Sequence, residues 1–349
     1  MKGKVLVTGG CGFIGSNLLT NLLENYPELN ILNLDLLTYA GKLENVEHLN
    51  KYKKRYHFIK GNICDPALLK KIFSEHQIDG VIHLAAESHV DNSLERPGDF
   101  VQTNVQGTLE LLQAAWKAWF SEPFSPKKGR EKNCFLHISS DEVYGSLGED
   151  GLFSESTPYA PNSPYSASKA ASDFLVRAWY QSYGLNVVTL NSSNNYGPRQ
   201  DREKLIPTVL WRAIQGEDIP VYGDGKNVRD WLYVEDHCSA IILAYKKGKP
   251  GETYTVGGRN ERDNNQVVTA ICDILDEIFP ACQNDKFNGD SYRELITYVK
   301  DRPGHDYRYA VDPAKIEKGL GWETTESFES GIQKTVKWYL EKYREEKYV

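Results

Sequence analysis

The first half of the chain alternates short apolar runs with longer stretches in which apolar positions recur every three or four residues. Residues 4–7, 31–35, 57–59, 80–84, 134–138 and 186–190 are apolar runs bounded by turn formers, the pattern of strands buried on both faces. Between them, residues 13–25, 67–75, 99–120 and 166–183 carry helical periodicity. The repeated strand–helix–strand rhythm predicts an α/β fold, a Rossmann-like doubly wound parallel sheet with helices on both faces. Right-handed crossovers place the carboxyl ends of the strands along one edge, where ligands bind in such sheets.

After residue 190 the rhythm breaks. Residues 194–207 and 221–229 are rich in Gly, Asn, Pro and charge and read as long loops, and helical patterns resume at 207–215, 265–279 and 328–342. The pattern divides the chain into residues 1–190, which carry the sheet, and a smaller mixed α/β unit over 191–349. The second unit is discontinuous, because chain near 225–256 is expected to return to the sheet. Residues 121–132, punctuated by proline, glycine, lysine and arginine, read as a solvated loop.

Composition narrows the function classes. The formal net charge is −7 with basic residues scattered, which argues against a nucleic-acid or anionic-membrane partner. No apolar run approaches the roughly 20 residues that cross a bilayer. The amino terminus runs straight into the first strand without the longer apolar stretch of a secretory signal. The 6 cysteines show neither paired spacing nor a CxxC, which suits a reducing cytoplasm. No HExxH occurs, so no metal site is expected, and His83, His137 and His237 read as structural imidazoles.

Three constellations carry chemistry. Gly9, Gly12 and Gly15 form a GxxGxxG turn directly after the first strand, with Phe13 and Ile14 opening the following helix. Glycines there let the backbone approach a pyrophosphate seated on the helix amino end. Asp35 ends the second strand 20 positions after Gly15, where a carboxylate accepts from a ribose diol and repels a 2′-phosphate, favouring NAD over NADP. Tyr165 and Lys169, at i and i+4, share one helix face, so the ammonium is expected to lower the phenol towards use as a general base. Ser140, ending the preceding strand, can share a hydrogen bond with Tyr165 and a substrate hydroxyl. Asp141 and Glu142 follow it, and two carboxyls in unlike environments can divide acid and base work, as elimination of water requires. Taken alone, YxxxK pairs and adjacent acids are common on solvated helix faces and turns, and their placement at the ligand edge is what singles these out.

With these residues in view, the chain resembles the extended short-chain dehydrogenase/reductases, and among them the nucleotide-sugar 4,6-dehydratases that take dTDP-glucose. The likeness runs through Leu37–Gly41, Ala85–Asp91, Ser140–Gly145, Tyr165–Lys169, Asn194–Pro198, Glu203–Pro207, Arg229–His237 and Asp301–Asp306. It implies an NAD site of Gly9, Gly12, Phe13, Ile14, Gly15, Asp35, Leu36, Thr38, Asn62, Ile63, Ala85, Ala86, Tyr165 and Lys169. It implies a nucleotide-sugar site of Ser88, Asn194, Lys204, Leu205, Tyr222, Arg229, Asn264, Arg302 and His305, held mainly by the second unit. The implied roles are Tyr165 as base at the 4-hydroxyl, Glu142 as base at C5 and Asp141 as acid at the departing 6-hydroxyl. Lys169 would orient the nicotinamide ribose. Leu36 stands where such chains often carry lysine, Asn62 where aspartate is usual and Ser140 where threonine is common. The resemblance also implies a homodimer through a four-helix bundle built from the helices at 99–120 and 166–183. A 4-epimerase would use Ser140, Tyr165 and Lys169 without the acid pair. A dehydratase of another nucleotide-hexose would keep the chemistry, and an NAD-binding regulator would need none of it.

Overall fold

The computed structural model describes residues 1–301 and 303–347. Seven parallel strands form the central sheet: β1 (Gly3–Thr8), β2 (Leu29–Asp35), β3 (Tyr56–Lys60), β4 (Gly80–His83), β5 (Cys134–Ser140), β6 (Val187–Ser192) and β7 (Thr253–Val256). Their order is β7-β6-β5-β4-β1-β2-β3, so the chain winds outwards in both directions from β1. That reversal leaves a crevice above the carboxyl ends of β1 and β4, the usual place for a ligand. Helices α1 (Phe13–Asn25), α2 (Pro66–Glu75), α3 (Thr108–Trp119) and α4 (Pro164–Tyr183) fill the crossovers.

Alternation along the strands explains the two layers of core. Val5 and Val7 pack with Leu18, Leu19 and Leu22 of α1, whereas Leu6 between them packs with Leu69, Leu111 and Val176 on the opposite face. Both faces are covered, which is why these strands read as unbroken apolar runs. Helix α4 starts on a Ser163–Ser166 capping box with Pro164 at its first turn, and stops at Gly184, whose φ of +73° suits glycine.

Beyond β6 the chain forms α5 (Leu205–Gln215), α6 (Val234–Lys247), α7 (Asn264–Ile278) and α8 (Phe328–Lys347). Helix α6 covers the sheet beside α1, with Ile241 and Ala244 in the same core. Helices α5, α7 and α8 enclose a separate core around Val209, Ile271 and Val336.

Two expectations change. The helix expected over 99–120 is broken: Pro97–Phe100 leads into a π-helical turn, Val101–Gly107, before α3 begins, and Phe120 starts a short hairpin strand. The π turn aims Asn104 inward, where its side chain accepts from Glu87 N at 2.9 Å and donates to the Ser168 hydroxyl at 2.8 Å. The loops expected at 194–207 and 221–229 contain structure. Asn194–Tyr196, Val228–Tyr233 and Glu261–Asp263 pair as a small sheet, and Ile219–Tyr222 pairs with Ile296–Val299. The segments are short and their partners lie far along the chain, so no local pattern announces them. No helix among the described residues is long and apolar enough to cross a membrane.

Candidate active site

A cavity of about 310 Å³ opens above the carboxyl ends of the sheet strands. Its first wall is the glycine turn. Gly9 takes φ +72°, and a Cβ on it would stand 2.6 Å from Ala85 N; one on Gly15 would stand 2.2 Å from the Gly9 carbonyl. The close packing leaves backbone as the cavity surface, and α1 starts on Gly12 with no side-chain cap. Its first amides and the positive end of the helix dipole therefore remain available to an anion. Asp35 stands beside them, 8% exposed, accepting from Cys11 N at 2.9 Å and Leu37 N at 2.8 Å. Burial raises its pKa, while these two amides oppose the rise.

All the residues expected at the NAD site line this cavity: Gly9, Gly12, Phe13, Ile14, Gly15, Asp35, Leu36, Thr38, Asn62, Ile63, Ala85, Ala86, Tyr165 and Lys169. The set fits a dinucleotide, with a bare backbone cradle for the pyrophosphate and a carboxylate for a ribose diol.

Ser140, Asp141 and Glu142 line the same cavity at the end of β5. The Ser140 hydroxyl accepts from Glu142 N and donates to Asp141 Oδ1, each at 3.3 Å. Asp141 is 2% exposed, and its Oδ2 has no hydrogen-bond partner. Burial holds its carboxyl well above the usual range, and the charges of Glu142 and Asp230 push it further. Glu142, half-buried, sits in a wetter setting.

Tyr165 lies against Phe100, edge to face, with ring centroids 6.3 Å apart. The expected lowering of its phenol does not occur in this structure: burial, then the charge of Glu142, raises it, and only Ser140 works the other way. Lys169 is turned elsewhere. Its Nζ donates to the Ile138 carbonyl at 2.7 Å, and burial pulls it down to about 8 against the charge of Asp173. Below them Asp173 accepts from Ser139 at 2.9 Å, Tyr159 at 2.8 Å and the His137 ring at 3.0 Å.

The nucleotide-sugar residues divide. Ser88, Asn194 and Lys204 line the cavity, and Lys204 Nζ donates to the Ser88 carbonyl at 2.9 Å. Leu205, Tyr222, Arg229, Asn264 and His305 do not, and Arg302 lies outside the described residues. Arg229 donates to the carbonyls of Asp306 and Tyr307 and lies 4.2 Å over the Tyr309 ring, close enough for its charge to draw Asp141 down. His305 pairs with Asp301 at 2.7 Å and meets the Tyr222 ring edge-on at 6.4 Å. Glu87, Thr103, Ser193, Gln200, Asp201 and Glu203 also line the cavity and were not among the expected site residues. Ser193 Oγ, Asn194 Oδ1 and Gln200 Oε1 are buried without hydrogen-bond partners, as is Asp141 Oδ2, while Glu203 Oε1 faces Lys204 Nζ at 3.6 Å. Unmet polar atoms on residues that line a cavity suit a polar ligand. His83, bonded to Thr8 at 2.7 Å and Thr108 at 2.9 Å, is a structural imidazole, and no metal-binding cluster occurs among the described residues.

A sequence-family profile described as GDP-mannose 4,6 dehydratase matches residues 6–335. The dTDP-glucose 4,6-dehydratase of Xanthomonas campestris pv. campestris (strain B100) is 54% identical over 338 residues, which covers 96% of this chain and 92% of that protein. The crystal structure of Bacillus anthracis dTDP-glucose 4,6-dehydratase in complex with NAD superposes with a TM-score of 0.84 at 41% identity, over 98% of each chain. A UDP-glucose 4-epimerase of Thermotoga maritima, with UDP-glucose, reaches a TM-score of 0.82 at only 30% identity, over 97% of this chain and 99% of its own. The architecture is thus shared across chemistries, and sequence separates them: the chain belongs to the dTDP-glucose 4,6-dehydratase family.

Proposed function

We propose that this chain converts dTDP-glucose to dTDP-4-keto-6-deoxyglucose plus water, using NAD held in the cavity described above. The observation that carries the reading is the unequal acid pair. Asp141 is sealed from water with a strongly raised carboxyl, while Glu142 beside it is half-buried. A 4-epimerase sharing this architecture has no use for such a pair, whereas elimination of water needs one group to give a proton and another to take one.

NAD bound on the glycine cradle supplies the acceptor for the C4 hydride and the donor that returns it to C6. The protein does the proton work. Tyr165, hydrogen-bonded to Ser140, which opposes the rise that burial and Glu142 impose on its phenol, takes the proton of the 4-hydroxyl. Oxidation at C4 acidifies C5, and Glu142 removes that proton. Asp141, kept protonated by burial, gives its proton to the departing 6-hydroxyl. With one N–H on the Ile138 carbonyl, the Lys169 ammonium would have its remaining donors for the nicotinamide ribose, and Asp35 would accept from the adenosine ribose. Residues 1–190, with the return near 225–256, hold the cofactor, and the remainder holds the nucleotide sugar, with Arg229 suited to phosphate oxygens by its planar fork.

The enzyme works as a cytoplasmic homodimer in this reading. All 6 cysteines are unpaired, as in a reducing compartment. Phe174, 59% exposed, belongs to a small-residue and aromatic stripe with Ala167, Ala171 and Ala178 on α4, and Val101 on the π turn is exposed as well. Two copies of these faces would form the four-helix bundle.

The test is mass spectrometry of products from dTDP-, UDP-, CDP- and GDP-hexoses in heavy water. Loss of one water from dTDP-glucose, with deuterium at C5, is expected. A product of unchanged mass with inverted C4 would make the chain an epimerase and remove the roles given to Asp141 and Glu142.

A further inference from the structure

Residues 198–204 connect the Asn194–Tyr196 strand to α5 and line the cavity with Gln200, Asp201, Glu203 and Lys204. The segment opens on Arg199, whose φ of +70° is disfavoured for a side chain, so its surroundings hold it in place. Those surroundings are three different walls. Arg199 donates to Asn17 Oδ1 at 2.7 Å, and Asn17 Nδ2 donates to the Pro198 carbonyl at 3.0 Å, which fixes one end to α1. Lys42 Nζ pairs with Asp201 Oδ2 at 2.9 Å, joining the middle to the segment after β2, whose Thr38 and Gly41 line the same cavity. Lys204 closes the far end on Ser88. From outside, the Tyr339 hydroxyl of α8 donates to the Gln200 carbonyl, and the Arg202 guanidinium lies 3.8 Å over the Trp211 ring of α5.

We infer that residues 198–204 are a retaining strap across the dinucleotide site, latched by the Lys42–Asp201 pair, and that opening of this strap governs release of bound NAD. The inference rests on the reading that the cavity holds NAD. In that reaction the cofactor returns to its starting state at every turnover, so nothing in the cycle requires it to leave. A strap anchored away from Ser140, Asp141, Glu142 and Tyr165 slows its departure without entering the proton transfers. Lys42 is 45% exposed at its side chain, against 18% for Asp201, so the latch lies at the solvent edge and is the anchor most open to salt.

The experiment is exchange of NAD bound to the holoenzyme against isotope-labelled NAD, read by mass spectrometry of the released cofactor. In Lys42→Glu, loss of an exposed pair and gain of like-charge repulsion, each a few-fold effect, should speed exchange by roughly tenfold. Turnover at saturating NAD should be unchanged. The charge-swapped K42E/D201K protein should return exchange to within about twofold of wild type, which a merely structural lysine would not produce. Exchange in K42E as slow as in wild type would overturn the latch. Fast exchange in both variants would overturn it too, by assigning the loss to a direct contact between Lys42 and cofactor. A wild-type protein that neither carries nor takes up NAD would instead defeat the reading of the cavity, and the strap with it.

Discussion

Replacing Lys169 by methionine should make the protein more stable while disabling it. Lys169 is 5% exposed, and burial lowers its pKa from 10.5 to about 8, with the Asp173 carboxylate only partly offsetting this. In the unfolded chain the ammonium keeps its ordinary value. Because the folded value is the lower one, the charged form is penalised by folding. The penalty is complete below pH 8, shrinks as pH rises from 8 to 10.5, and is gone above that range. The gap between 10.5 and 8, at about 1.4 kcal/mol per unit, amounts to roughly 3 kcal/mol at neutral pH. Methionine keeps the aliphatic stem and removes the charge. It also strips the Ile138 carbonyl of a donor at 2.7 Å, a loss of about 1 kcal/mol. A net gain of about 2 kcal/mol is therefore expected at neutral pH. Urea unfolding of cofactor-free protein, followed by tryptophan fluorescence, would measure it across the alkaline range. The advantage of Lys169→Met should fade as pH climbs through 8 towards 10.5. A variant no more stable than wild type at neutral pH, or one whose advantage ignores pH, would refute the reasoning. Loss of turnover in the same variant would show that the site stores instability for its chemistry.

Asp141→Asn and Glu142→Gln should each cut turnover by about 10²- to 10⁴-fold while NAD binding persists, measured by product formation and by quenching of protein fluorescence. Near-normal turnover in either would strip that residue of its assigned proton transfer. Gly15→Ala would drive a Cβ to within 2.2 Å of the Gly9 carbonyl, so a loss of about 1–3 kcal/mol in stability and weaker NAD retention are expected from thermal unfolding with and without cofactor. Phe174→Glu, on the exposed stripe of α4, should yield monomers in light scattering with the fold intact by circular dichroism. A dimeric mass would place the interface elsewhere.

That the glycine turn, Asp35, Tyr165 and Lys169 come to one cavity was legible because they are tied together by short sequence separations. Gly9, Gly12 and Gly15 occupy one turn, Asp35 ends the next strand, and Tyr165 and Lys169 are one helical turn apart. Period and punctuation fix where each of these goes once the sheet is recognised. What those spacings could not supply is electrostatics. A lysine at i+4 suggests a lowered tyrosine, yet Lys169 donates to the Ile138 carbonyl, and burial decides the direction in which both groups shift. Desolvation depends on everything packed around a group, and no local pattern encodes that.

The nucleotide-sugar half was less legible for a related reason. Val228–Tyr233 finds one strand partner at Asn194–Tyr196 and another at Glu261–Asp263, and Arg229 is held by carbonyls at 306 and 307. These are long-range pairings of short segments in which polar or charged residues interrupt the apolar ones, so no alternation announces a strand. Gln200 and Asp201 illustrate the limit: they line the cavity on a segment held by contacts such as Arg199 with Asn17 and Asp201 with Lys42, across separations of 182 and 159 residues. Chemistry that turns on the covalent spacing of a few groups can be read before the fold is known. A wall assembled from distant loops acquires its function only when tertiary contacts bring it together, and there a single residue such as Lys42 can matter through its partner rather than through any motif of its own.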